Sequence, residues 1–428
     1  MINVGYVVAD VSYPKLEKSY KILEAKPILV KNLKKISSVS ILLTLILILS
    51  VANVVHAVEV TSIIPVGTQP EGIAYDSGFN EMFVANYGSN TVSVISDSSN
   101  SVVATVPVGT EPTGVAYDSG KGEIFVTDAG SGTVSVISDH KNAVLANVTV
   151  GANPVGIAYD SGKGEIFEAN WGANTVSVIS DTNNTVVATV PIGTNFKGQF
   201  PPSGPPEPIG VAYDPANGEI FVVNSYPHSS GVGTVSIISD SNNTVLTSIL
   251  VGGDPYYAAY DSGKGEVFVS NEGDLFVSVI SGSINAVAAN ATLPKGAYGS
   301  WGIAYDSAKS EIFVVNQYGS VSILSDNTNT FVETVNLSNA TVNVGNTHCI
   351  AYDPAKGEML VTDEGSGTVL VLSDSSGASA SPSPTVPEFS SAGLILVVTV
   401  VVAVSLCAVA LATRKSPRCN SDFKQKTK

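Results

Sequence analysis

The chain has 428 residues, 44% of them hydrophobic and 14% charged, enough apolar material for a large buried core and too sparse a charge for a disordered chain. Its formal charge is −16, and residues 58–376 alone hold 8 Lys, no Arg and 32 Asp or Glu, a net −24. A surface that acidic repels phosphate backbones, which excludes nucleic acid as a partner and leaves cations and basic surfaces as the natural ones.

In chain order, residues 1–57 are read as a signal segment. The apolar run Ile41–Val51 follows the basic cluster Lys31, Lys34 and Lys35 and precedes Val55-His56-Ala57. A basic region, an apolar core and a small-residue site predict cleavage after Ala57. The stretch ahead of the basic cluster is longer than a signal needs, so a start near Leu29 or Val30, or retention as an N-terminal anchor, stays open.

Residues 58–376 are built on a repeat. Tyr-Asp recurs at Tyr75, Tyr117, Tyr159, Tyr213, Tyr260, Tyr305 and Tyr352, at intervals of 42, 42, 54, 47, 45 and 47 residues. Each is followed by a Glu, then by an apolar run ending in Asn or Asp, such as Phe83–Asn86, then by runs such as Thr91–Ser96 and Ser101–Val108. Four short β runs in a unit of about 45 residues is the pattern of a propeller blade, whereas a solenoid of parallel strands carries fewer strands and shorter turns. The predicted fold class is therefore all-β, a seven-bladed β-propeller of four-stranded antiparallel blades. The seventh unit stops at Val369–Ser373, one strand short, and Val58–Val66 has the outer-strand pattern with no blade before it. Pairing those two segments closes the ring without a loose edge.

These seven units resemble the YVTN-type β-propeller repeats of bacterial and archaeal surface proteins. The resemblance implies a propeller and surface display; it does not imply one activity, since a fold does not carry a function. Glu168 departs from it, a carboxylate where the other units have valine or a similar apolar residue.

The residues offer little for catalysis, and no catalytic residue, metal ligand or cofactor is assigned. His140, His228 and His348 are scattered over three units, and neither a His cluster nor CxxCH is present for copper or haem chemistry. Cys349, Cys407 and Cys419 show no ligand spacing, and Cys349 lacks a partner in its own domain, so there is no disulfide framework. His348 beside Cys349 reads as an incidental pair. Turns such as Asp118-Ser119-Gly120-Lys121-Gly122-Glu123 could offer oxygens to calcium, but an Asp at a turn more commonly caps backbone N–H groups.

The site expectation comes from comparing the units. Loops between the first and second runs, and between the third and fourth, are near-constant and share one rim. Loops leading into each unit and those after the Asn or Asp vary, on the opposite rim. There the chain carries Tyr87, Trp171, Tyr226, Tyr256, Tyr257, Tyr298, Trp301 and Tyr318, and unit four adds a Pro-rich insertion, Phe196–Pro208, containing Phe200. Varied aromatic loops on a rigid ring predict a binding surface, against the alternative that these rings pack between blades. Asn147, Asn183, Asn242, Asn290, Asn336 and Asn339 begin glycosylation sequons, expected on outer strands or the constant rim.

Residues 377–391 form a Ser/Pro-rich stalk. Ala392–Thr413 is an uncharged run long enough for a transmembrane helix, and the tail 414–428, with Arg414, Lys415 and Arg418, is the basic flank expected in the cytoplasm. Pro387-Glu388-Phe389 just before the span resembles the PEF-type sorting signals of archaeal surface proteins. That resemblance implies removal of the span and attachment to lipid; the tail is longer than the family norm, and simple retention of the helix is the alternative.

The leading expectation is a single-pass protein on the outer face of the cell membrane that binds a protein or glycan through its variable rim, as an adhesin or envelope scaffold. A propeller lyase or hydrolase with a divalent metal in the channel, and a purely structural coat subunit, are the two alternatives.

Overall fold

The computed structural model describes residues 58–193, 204–226, 232–338 and 344–374. The signal segment, stalk, span and tail, His228, Asn339, the PEF residues and most of the Pro-rich insertion lie outside the described residues. Within them the chain forms seven four-stranded antiparallel sheets, six of which follow the chain from inner to outer strand. Blade one is Pro70–Asp76, Glu81–Asn86, Thr91–Ser96 and Ser101–Pro107. Blade seven takes Thr347–Asp353, Glu358–Asp363 and Thr368–Asp374 from the end of the ring and Val58–Pro65 from its beginning. The closing pair is antiparallel, with Ile64 opposite Val369 and Glu59 opposite Ser373, as the missing strand of the seventh repeat requires.

The second strand of every blade is covered on both faces, which explains its continuous apolar run. Its Phe residues, Phe83, Phe125, Phe167, Phe221, Phe268 and Phe313, are fully or almost fully buried, and Leu360 takes that place in blade seven. Each packs into a cluster shared with the next blade: Phe83 meets Ile124, Val126 and Ile137 of blade two. The last interface is made the same way, Leu360 and Val369 packing on Ile73 and Met82 of blade one together with Ile64 of the closing strand.

The Tyr-Asp pairs weld neighbouring blades on the constant rim. Asp76 Oδ1 accepts the N–H of Gly78 at 2.7 Å, and the same cap recurs from Asp118 to Gly120 and from Asp353 to Ala355. The Tyr of the following blade comes close to that carboxyl group: burial first, then the neighbouring Asp76 carboxylate, pushes the Tyr117 phenol up to about 12. Lys121, Lys163, Lys264 and Lys356 add a second tie, each donating to the backbone carbonyl of an Asp in a neighbouring blade, Asp181, Asp240, Asp326 and Asp97. These turn carboxylates are therefore engaged in capping and in blade-to-blade contacts.

On the outside, Asn147, Asn290 and Asn336 are exposed on outer strands, and Asn183 and Asn242 sit exposed in constant-rim turns. Among the described residues no helix is long and apolar enough to cross a membrane.

Candidate functional site

Every inner strand has an irregularity at the same place. In blade three the register steps between Pro154 and Ile157, and the equivalent step occurs in each of the seven blades. A bulge re-aims the side chains within it. The residue it frees is the one four positions before each recurring Tyr: Glu71, Thr113, Val155, Ile209, Tyr256, Trp301 and His348. Five of these seven, from blades one, two, three, five and seven, line a single cavity of about 240 Å³. Five of the seven blades around the ring can share one cavity only near its axis, at the mouth of the central channel.

The residue after this position is Gly in five blades because the next inner strand passes against it. A Cβ on Gly72, Gly114 or Gly156 would overlap the carbonyl oxygen of Thr113, Val155 or Ile209. Blades five and seven place Tyr257 and Cys349 there instead, and those two blades, with Trp301 of blade six, build the aromatic side of the site. Tyr256 stacks on Trp301 with centroids 5.5 Å apart and planes at 17°. Tyr257 and His348 meet Tyr256 edge-on, and His348 stands 5.0 Å from Trp301.

The second wall comes from the turn after each second strand. Tyr87, Ala129 and Trp171 are the first residues of that turn in blades one to three, and each donates its backbone N–H to the carbonyl of the residue before the inner strand of its own blade, Gln69, Glu111 and Asn153. Those acceptors hold positive φ, 52°, 55° and 50°, which bends the incoming loop onto the turn. Trp171 is fixed further by donating from Nε1 to Glu207 at 3.0 Å.

The electrostatics are one-sided. Glu71 and Glu111 line the cavity, and no Lys or Arg does. Burial first, then repulsion from Glu364 and Glu111, lifts the Glu71 carboxyl to about 8. Glu364 is held by amide donors from Gln69 at 3.1 Å and Asn346 at 2.8 Å. Tyr256 is raised to about 12, by burial and then by Glu71, Glu272 and Glu364. Burial holds His348 down to about 4 and Cys349 up to about 11, so at neutral pH the imidazole is uncharged and the thiol protonated. Two polar atoms remain buried without a hydrogen-bond partner, Nδ1 of His348 and Nε1 of Trp301, although His348 is only 6% exposed.

Of the eight aromatic residues expected on the variable rim, Tyr87, Trp171, Tyr256 and Tyr257 line the cavity and Trp301 backs Tyr256. Tyr298 and Tyr318 are 59% and 74% exposed, outside it. Tyr226 turns inward instead, buried with its hydroxyl 3.3 Å from Thr234 Oγ1, because its place one residue beyond the end of the second strand brings it back over its own blade. Sequence reasoning missed Glu71, Glu111 and His348; His348 lies on the inner strand of blade seven, not in a loop. Among the described residues no group of three or more metal-ligating side chains comes together.

No protein-family model matches this chain, and no curated protein matches it in sequence. Among solved structures, the hydrazine synthase of Kuenenia stuttgartiensis is similar in fold, with a TM-score of 0.58 and 16% identity over 71% of this chain and 95% of that one. At that identity the likeness speaks for the propeller alone.

Proposed function

We propose that this chain is a binding protein displayed on the outer face of the cell, holding its ligand at the channel mouth on the variable rim, and that it is not an enzyme. The observation that carries the reading is the column of seven inner-strand positions. Its residue changes in every blade while the residues around it repeat, and most of the column converges on one cavity. Variation confined to the lining of a cavity on an otherwise repeated scaffold is what recognition requires.

Display at the surface is supported by the apolar segment ending near Ala57, the uncharged run 392–413 with its basic flank, the PEF motif at 387–389 and the resemblance of the repeat to YVTN-type surface propellers. In this reading the ring stands outward on its Ser/Pro stalk, with a protein or glycan as its partner. Exposed sequons on the outer strands and the constant rim leave the channel mouth bare. Binding is favoured over turnover by the lack of an activated nucleophile, since burial keeps the Cys349 thiol protonated at neutral pH.

Trp171→Ala and Trp301→Ala, tested separately in the ring 58–376, are each expected to weaken binding to native envelope on the order of tenfold or more. Asn183→Gln on the constant rim should leave it unchanged. Full retention of binding by both tryptophan variants would leave only a structural coat role.

A further inference from the structure

Resting on the proposal that the channel mouth is the binding site, we infer that the part of its partner it takes there is a small organic cation, an alkylammonium group held between aromatic faces and carboxylates. Three independent features point to this chemistry. First, Tyr256, Tyr257 and His348 present ring faces and edges to one cavity, with Trp301 stacked behind and Trp171 and Tyr87 on the facing wall. Ring faces are negative, and several around one space attract an ammonium ion more strongly the better it is shielded from water.

Second, charge is segregated along the axis of the ring. Glu71 and Glu111 line the cavity, and Glu364 and Glu272 act on its tyrosines. Six of the seven Lys among the described residues, in contrast, sit in the constant-rim turns; the seventh, Lys295, is in an exposed loop and does not line the cavity. Crowding carboxylates into a partly buried space is unfavourable unless something positive joins them. A bound cation relieves the repulsion and draws Glu71 back to its ionised form.

Third, the site has unused hydrogen-bonding capacity at its aromatic end. His348 is 6% exposed and its Nδ1 meets no partner, nor does the Nε1–H of Trp301. A hydroxyl or an N–H next to the charged nitrogen would satisfy one or both. A hard metal ion suits this wall poorly, because the groups facing the space are rings rather than a shell of oxygens. The volume, about 240 Å³, is below that of pockets for drug-sized ligands and suits an ion of a few heavy atoms.

The chain provides its own reporter, because its two tryptophans, Trp171 and Trp301, both stand at this site. Tryptophan emission of the ring would be followed during titration with choline, with ethanolamine, with 3,3-dimethylbutan-1-ol (a neutral isostere of choline) and with calcium. A saturable change with choline or ethanolamine and none with the neutral isostere supports the inference; choline alone indicates a cage for a quaternary ion, ethanolamine alone a hydrogen-bonded primary ammonium. Glu71→Gln, close in shape to the native residue, should weaken the responding cation by about tenfold. Equal response to the isostere, response to calcium alone, or no saturable response to any amine overturns it. If amines fail while the tryptophan variants still lose envelope binding, the site stands and only its ligand class is wrong; if those variants keep envelope binding, the site itself is wrong.

Discussion

Deleting Val58–Pro65 is expected to cost the ring on the order of 5 kcal/mol, a large share of the ~5–15 kcal/mol that holds a typical domain folded. The deletion removes Ile64 from the cluster between blades seven and one, and Val58 and Val60 from their packing against blade six and seven residues. It also bares Thr368–Asp374 as an unpaired edge, a template for aggregation. Calorimetry and light scattering of the truncated ring would read both effects. Grafting the same eight residues after Asp374 through a short linker should restore stability, since the strand is needed in place but not at the N-terminal end of the ring. A truncated ring that melts with the intact one would mean that the chain's beginning does not close it.

Glu168→Val should stabilise the protein by about 2–4 kcal/mol at pH 7, against the usual direction for core substitutions. Glu168 is fully buried in the second strand of blade three, at the position where all six other blades have a buried valine that packs between blades. Neither carboxyl oxygen is met by a geometrically sound hydrogen bond. Burial pushes its pKa well above the usual carboxylate range, and Ser177 and Asn170 nearby offset only part of that. A raised folded-state pKa gives stability that is fully present below the unfolded value of 4.5 and is lost as pH rises from there. The loss is about 1.4 kcal/mol per pH unit while the folded carboxyl stays protonated. The gain from Glu168→Val should therefore be large at pH 7 and shrink toward pH 4, which denaturant melts at both pH values would measure. A variant that is less stable than the native chain at pH 7 would show that the carboxyl group has partners it depends on.

How far the sequence could be read depended on whether a feature repeats. Seven Tyr-Asp pairs, seven buried second strands and the orphan strand at Val58 are periodic signals, and each has one geometric solution, so blade number, closure and the two rims were all legible. The Tyr-Asp pair itself was legible as a turn cap but not as a weld, because the Tyr117 phenol comes close to the Asp76 carboxyl across a blade boundary that only coordinates display. The site was half legible. Aromatic residues in variable loops drew attention to Tyr87 and Trp171, whereas Glu71, Thr113 and His348 lie inside strands, where apolar packing is the ordinary expectation. The available signal was a misfit to the repeat: four residues before each Tyr, seven units carry Glu, Thr, Val, Ile, Tyr, Trp and His between positions that barely change. Tyr226 shows the converse, an aromatic in a variable loop that packs on its own blade.

The most direct test of the channel mouth as the binding site is to blank the column while leaving the ring intact. Glu71→Thr, Tyr256→Thr, Trp301→Val and His348→Thr together install the residue types already present at Thr113 and Val155, so the fold has precedent for each. With circular dichroism and melting temperature first shown to be close to those of the native ring, envelope binding is then measured. Loss of binding is the predicted result; unchanged binding would place the functional surface elsewhere on the molecule.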